Sequence, residues 1–324
     1  MAGFIIRRVF QMAVVLLLLS FLVYLLIALM PGDPLDIACS SDPRCSPNNI
    51  AAMKRALGFD EPVWTRWGIW IGRFVQGELG YSRMYRQPVT QILGPRLYNT
   101  FVLSSWAMVV SIVIGLPLGV YTSLRPRTRV DYIVNMGAFV GISMPSFWLG
   151  LMLIIAFAVK LGWLPASGSE TIGMAANLPW WERWTDTAKY LVLPVVSLSL
   201  QTIAQYVRFT RASMLDVLRR DFVRTAKSKG LSRRRVIYMH AFRNALIPVV
   251  TIVTLNLPII FQGALITETV FAYHGVGELI FNSIQGNDYN VAMCGFMIAC
   301  LAIMAMNLVA DLGYAFLDPR ITLQ

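Results

Sequence analysis

The sequence predicts an all-α integral membrane protein of six transmembrane helices with both termini on the cytoplasmic side. Three observations lead there: the composition, the charge-free apolar stretches, and the placement of Lys and Arg between them. Of 324 residues, 56% are hydrophobic and only 14% charged, with a mean hydropathy of +0.60. Soluble chains carry roughly 25% charged residues. A chain this poor in ionisable groups cannot cover a water-facing surface of its own size, which excludes a soluble enzyme of one or two domains.

A helix needs about 20 consecutive apolar residues to cross a bilayer. The spans predicted on that length are residues 9–30, 97–124, 132–159, 190–207, 245–267 and 289–310. The fourth is the shortest and begins beside Lys189, whose stem can snorkel to the interface. Pro117, Pro145, Pro194, Pro248 and Pro258 lie within these spans, where neighbouring helices can satisfy the freed backbone groups. The first span follows Arg7 and Arg8 as a signal peptide would, but it is too long and no small-residue cleavage site follows, so it is expected to stay.

The net charge of +11 arises from 28 Lys and Arg against 17 Asp and Glu. A basic chain can signal nucleic acid, but in a membrane protein basic residues collect in cytoplasmic loops. Eleven of the 28 fall between Arg208 and Arg243, opposed only by Asp216 and Asp221. Arg7, Arg8, Arg125, Arg127, Arg129 and Arg320 join them when the N-terminus is inside, whereas the last outer connection holds only Glu268, Glu278 and Asp288. No nucleic-acid partner is expected, and membrane lipid is.

Cys39 and Cys45, in CSSDPRC, fall in the first outer loop. An oxidising compartment admits a disulfide closing that short loop, preferred here to two free thiols because both share the outer side. Cys294 and Cys300 lie in the sixth span and read as packing residues. Trp64, Trp67 and Trp70, three apart, suit an amphipathic helix lying at the interface, and Trp180, Trp181 and Trp184 suit headgroup anchoring or contact with a soluble partner.

The chain has no G-x-x-x-x-G-K-[ST] phosphate loop, and only His240 and His274 as histidines, without zinc spacing. No span interior holds an acid or base, and Glu268 and Asp311 stand at span ends. Neither an energy source nor a coupling-ion site is therefore expected, and no metal. An intramembrane enzyme would need a nucleophile with a base at the same depth, which no span offers.

Residues 211–243 form the specialised loop. Residues 211–229 are rich in helix formers with apolar positions at helical spacing, Gly230 ends that segment, and Ser232 can cap a second helix from Arg233. The result is an elbow suited to docking in a groove of another protein, or to lying on anionic headgroups.

The stretch 221–251, DFVRTAKSKGLSRRRVIYMHAFRNALIPVVT, resembles the cytoplasmic signature of ABC importer permeases of the dipeptide/oligopeptide/nickel family. The general signature reads E-A-A, three residues, then Gly. Here Arg224, Thr225, Ala226 and Gly230 hold those positions, and R-T-A-x-x-x-G-L followed by His240, Asn244 and Pro248 is similar to the peptide subgroup. The opening with its PGDP exit, LGFDEPVWTRW, GELGYS, ISMPSFWLG, LGWLPASG, ETVFAYHGVGELIFNSIQGNDY and the ending DLGYAFLDPR are similar to segments of the same family, in order. One departure is His274, where the family usually carries Pro before Gly.

The resemblance implies the type I ABC importer permease fold in a bacterial inner membrane, with a first helix and periplasmic segment (1–97) and a five-helix core (98–324). It implies a second homologous permease, two ATP-binding subunits or domains, and an extracytoplasmic substrate-binding protein. ATP and Mg belong to the partners, and this chain itself binds no cofactor and is no enzyme. The ATPase-coupling elbow comprises Arg224, Thr225, Ala226, Lys227, Ser228, Lys229, Gly230 and Leu231. Ala226 and Gly230 either let an ATPase approach closely or only shape a helix end. His240, Asn244 and Pro248 are expected to be structural, with His240 packing the second elbow helix. Arg233, Arg234 and Arg235 face the partner or lipid headgroups. Peptides are the favoured substrate, with nickel chelates, oligosaccharides or opines as alternatives and an ATP-independent channel as the reading from another class. Ser104, Ser111, Ser143, Gln201, Thr202 and Asn256 either line an aqueous route or join helices.

Overall fold

The charge-free stretches become long helices in the computed structural model, which describes residues 2–29, 61–171, 173 and 179–317. In chain order these are α1 (Ala2–Ala28), α2 (Val63–Val75), α3 (Val89–Leu124), α4 (Arg129–Ser143) and α5 (Ser146–Leu153, continued by a π-helical Ile154–Lys160). Then follow α6 (Trp180–Leu218), α7 (Asp221–Ser228), α8 (Arg233–Arg235, a π-helical Val236–Phe242, then Arg243–Val270), α9 (Val276–Gln285) and α10 (Tyr289–Leu317). Among the described residues there is no strand, only the isolated bridge between Tyr81 and Pro88. Five helices are long and apolar enough to cross a membrane, and α4 with α5 supplies a sixth crossing if that pair is one span.

The third span, in which Pro145 was noted, is broken and not merely kinked. It bends by 106° between Ser143 and Ser146. Pro145 has no N–H to donate, and its ring disfavours a helical Met144, which adopts φ −85°, ψ 123°. Two carbonyls at the break are met from α6: the Gln201 side-chain amide donates to Met144 O at 2.9 Å and Ser197 Oγ to Ser146 O at 3.1 Å. At Pro194, Pro248 and Pro258 the helices continue. The fourth span also exceeds its apolar stretch: α6 has 39 residues, about 58 Å at 1.5 Å per residue, so it projects beyond a roughly 30 Å hydrocarbon layer.

The chain forms two compact units, one of Met1–Leu97 with Val276–Met304 and the other of Tyr98–Gly275 with Ala305–Gln324. In the first unit, α2 docks on α1. Trp67 donates from Nε1 to Ser20 Oγ at 3.0 Å and meets the Phe21 ring edge-on, while Trp70 packs by Tyr24. Two of the three tryptophans expected at the interface are thus turned onto the first helix, and Trp64 stays exposed. Val89, Ile92 and Leu93 of α3 close a core with Leu279, Val291 and Cys294.

The same unit unites two segments far apart in sequence. Ser82 of GELGYS donates to Asp288 Oδ2 at 2.5 Å, which also accepts from Met84 N at 3.0 Å. Asn290 Nδ2 donates to Leu79 O at 2.8 Å, and a Cβ on Gly80 would stand 2.6 Å from that nitrogen. Gly80, with φ +75°, is required both by the turn and by this approach. Arg96 pairs with Glu278 beside them.

In the second unit α6 is the central helix, packed against α4, α5 and α8. Its approach to α3 is set by Gly115 and Gly119. A Cβ on Gly119 would lie 2.6 Å from Thr210 Cβ and 2.9 Å from the Val207 carbonyl, and one on Gly115 2.8 Å from Tyr206 Cβ. Small residues four apart let two backbones meet in a membrane, where van der Waals packing replaces the hydrophobic drive.

Candidate coupling elbow

The expected first elbow helix over residues 211–229 is two helices. The long α6 stops at Leu218, Arg219 and Arg220 turn, and α7 begins at Asp221. Arg220 is extended at φ −72°, ψ 150° and its guanidinium holds Asp216 at 2.8 Å. The break redirects the chain so that Val223 and Ala226 of α7 fold back beside Val217, which a straight continuation would carry away. All three are buried with Val120, Met214, Val236, Ala241 and Ala245. Asp221 in the first turn suits the positive end of the α7 dipole.

The end of α7 explains the spacing A-x-x-x-G-L. Leu231 N donates to Ala226 O at 3.4 Å and Gly230 N to Lys227 O at 3.0 Å, with Gly230 at φ +75°. These are the paired bonds of a Schellman stop, in which the first residue past the helix must be left-handed and the next packs back apolar. Leu231 does so, against the same core. A Cβ on Gly230 would meet nothing within 4 Å, so dihedral angle and not room demands glycine. Ala226 turns inward, 5% exposed, and makes its close approach to its own chain. The open face of the elbow is Arg224, Thr225, Lys227, Ser228, Lys229 and Gly230. Thr225 and Ser228 hydroxyls bond back to Asp221 O and Arg224 O, and Arg224 lies 3.6 Å from Asp221 in a solvated pair.

The second elbow helix begins at Arg233, but the Ser232 side chain makes no capping bond; its carbonyl accepts from Val236 N. Arg233, Arg234 and Arg235 are exposed. The half-buried His240 sits in the π-helical turn, where its carbonyl accepts from Asn244 Nδ2 at 2.6 Å. Pro248, one turn on, is exposed on α8.

Rigid ties join the elbow to the bundle. Asp131 at the start of α4 receives Arg211 of α6 through both oxygens, Nε to Oδ1 and Nη2 to Oδ2, each at 2.7 Å. It also accepts from Arg127 N at 2.9 Å and Asn135 Nδ2 at 2.7 Å, which satisfies a carboxylate whose side chain is 5% exposed. Ser213 Oγ donates to Ala245 O at 2.8 Å, holding α6 to α8. Sequence reasoning missed the Asp131–Arg211 pair and the Gly115/Gly119 contact. The four-residue glycine spacing was a readable signal; the ion pair, 80 residues apart, had none.

The polar span residues mostly bond between or along helices. Gln201 reaches Met144 O, Asn256 Nδ2 donates to Gln205 Oε1 at 3.3 Å, and Ser111 Oγ contacts Ala107 O and Ser199 O. Ser143 bonds Phe139 O within its own helix. Ser104 is buried with no hydrogen-bond partner among the described residues. His274 stands in the turn after α8, where its main-chain carbonyl accepts from Asn99 Nδ2 at 2.8 Å, a bond that does not depend on the side chain. Cys39 and Cys45 lie outside the described residues. Among the described residues no three His, Cys, Asp or Glu side chains gather as metal ligands would.

Comparison with known proteins covers the chain from end to end. Residues 115–323 match the family described as binding-protein-dependent transport system inner membrane component, and residues 1–104 match its N-terminal part. The oligopeptide transport system permease protein AppB of Bacillus subtilis is 35% identical over 322 residues, covering 99% of each chain. The dipeptide transport system permease proteins DppB of Alkalihalophilus pseudofirmus and of Escherichia coli K12 are 35% and 34% identical, again over 99% of each chain. Among solved structures, an inward-facing MetNI methionine ABC transporter chain superposes with a TM-score of 0.54 at 16% identity, covering 71% of this chain and 97% of that one. A chain of an amino acid ABC transporter gives 0.52 at 13% identity, over 69% and 94%. These two likenesses bear on the fold alone, which is that of ABC importer permeases. From the full-length match, the chain belongs to the binding-protein-dependent transport system inner membrane components, as a multi-pass ABC transporter permease of the bacterial inner membrane.

Proposed function

We propose that this chain is one of two permease subunits of an ATP-driven importer of di- and oligopeptides. The observation that carries the reading is the full-length likeness, at about a third identity, to permeases named for dipeptide and oligopeptide transport. Six crossings would put both termini and the elbow on one side, and the basic excess there supports the cytoplasm as that side. ATP and Mg are then held by two partner ATPases, and peptide arrives from a binding protein on the other face.

On this reading the elbow is the mechanical input. Its open face, with Arg224, Thr225, Ser228 and Lys229, would seat on an ATPase, while Val223 and Ala226 clamp α7 to the bundle. Closure of the ATPase pair would displace α7, and the Arg211–Asp131 and Ser213–Ala245 ties would pass that displacement to α6, α4 and α8 as packed bodies. If α4 and α5 make one crossing, the bend at Pro145 would put irregular backbone within the membrane, where transport pathways tolerate it. Gentle extraction of the tagged chain from its native membrane tests the assembly. Recovery of a second permease, ATPases and a binding protein carrying peptide supports the proposal. Repeated recovery of a stable homo-oligomer alone, under conditions that keep other importers whole, overturns it in favour of a channel.

A further inference from the structure

We propose that the elbow end of the second unit carries a site for a phosphate-bearing anion, occupied by the headgroup of an anionic phospholipid. The site is a cavity of about 800 Å³. Four segments distant in sequence bring cations to its lining: Arg127 from the turn after α3, Arg219 from the end of α6, Lys227 from α7 and Arg233 from the start of α8. A fifth, Arg211, is held by Asp131. Among the described residues none of the other four has a carboxylate partner. Four unneutralised cations round one cavity repel one another, and an anion relieves that repulsion.

The rest of the lining says what kind of anion. Leu215, Leu218, Leu231 and Ile237 make an apolar wall, and no aromatic ring is present on which a nucleobase could stack. Guanidinium forks match phosphate oxygens, and the leucines match the glycerol esters and first methylenes behind them. The cavity begins at Leu124, where the apolar stretch of α3 gives way to Arg125, Arg127 and Arg129. An apolar span passing into a basic run is the pattern of a helix reaching the headgroup layer. The inference stands apart from the transported substrate.

The test uses the full chain purified in detergent, with native mass spectrometry and titration by phosphatidylglycerol, phosphatidylcholine and inorganic phosphate. Phosphatidylglycerol binds saturably and phosphatidylcholine does not. Arg219→Ala with Arg233→Ala weakens that binding about thirtyfold, from about fivefold per basic residue near anionic lipid. Arg234→Ala with Arg235→Ala removes equal charge outside the cavity and changes it little, and Arg219→Lys with Arg233→Lys retains most of it. Equal losses in both alanine pairs would mean a diffuse basic surface and overturn the site. Competition by inorganic phosphate at matching concentration would assign a free anion in place of lipid. Should ATPase subunits displace the lipid, and the cavity variants weaken that association instead, the cavity is a protein socket and the lipid assignment falls.

Discussion

Replacing Gly230 separates the shape of the elbow from its surface. Its φ of +75° lies in the left-handed region, and a Cβ there meets nothing within 4 Å. Any L side chain therefore pays in backbone only, about 1–2 kcal/mol, and Asn less because it tolerates that region. Within the isolated chain Gly230→Ala and Gly230→Trp should lose nearly equal stability, since Gly230 is exposed and nothing stands within 4 Å of a Cβ there. A docked partner changes the comparison. Overpacking a fitted contact costs about 1–3 kcal/mol, roughly a five- to 150-fold loss of docking. Thermal unfolding in detergent would measure the first quantity, and peptide uptake in cells with matched membrane levels the second. The expected result is near-equal stability for Ala and Trp, uptake largely kept by Asn and Ala, and uptake abolished by Trp. If Trp transported as well as Ala, Gly230 would not face an ATPase and the coupling assignment would be wrong.

Gly119→Leu drives a side chain into Thr210 and the Val207 carbonyl; backbone cannot yield cheaply, so a loss of about 3 kcal/mol or more is expected, read as failed insertion or early unfolding. Asp131→Asn leaves Arg211 without its anion, for about 2–3 kcal/mol, below the roughly 3–5 kcal/mol of a fully buried pair because Arg211 is 25% exposed. Thermal unfolding checks this, and Arg211→Lys should lose most of the same amount because one ammonium cannot satisfy both oxygens. Asp288→Ala strands the Ser82 hydroxyl and the Met84 N–H, costing about 1–3 kcal/mol; faster hydrogen exchange at residues 79–85 is the measurement, and unchanged exchange would show that the junction is not held there.

Much of the architecture was legible because each rule involved acts locally. Charge-free length marks a span, so α1, α3, α6, α8 and α10 were placed with boundaries differing mainly where helix runs on into water. The stop at Gly230 was legible for the same reason, since a left-handed residue after a helix is a one-residue requirement. The bend at Pro145 was not, although that proline was noted. Pro194 sits within a continuous helix, and the break at Pro145 is sustained by Gln201 and Ser197, more than 50 residues away. Nor was the break before Asp221 legible: every residue from 211 to 229 tolerates a helix, and the turn at Arg219–Arg220 follows from where Val223 can be buried.

Sequence alone determined that this chain lives in a membrane, which of its stretches are apolar enough to cross, which family it resembles, and where its elbow lies. Hydrophobicity, charge bias and motif spacing are properties of short segments, and the bilayer reads them segment by segment. Tertiary structure decided which elbow residues face out. It turned Ala226 into the core and left Thr225 and Lys227 displayed, because one apolar face of α7 must be buried against α6 and α8. It also decided that Asp131 answers Arg211, that Ser82 answers Asp288, and that four cations from four segments surround one cavity. Such pairings depend on distances between helices, and these are set by side-chain packing across the bundle that no local pattern encodes.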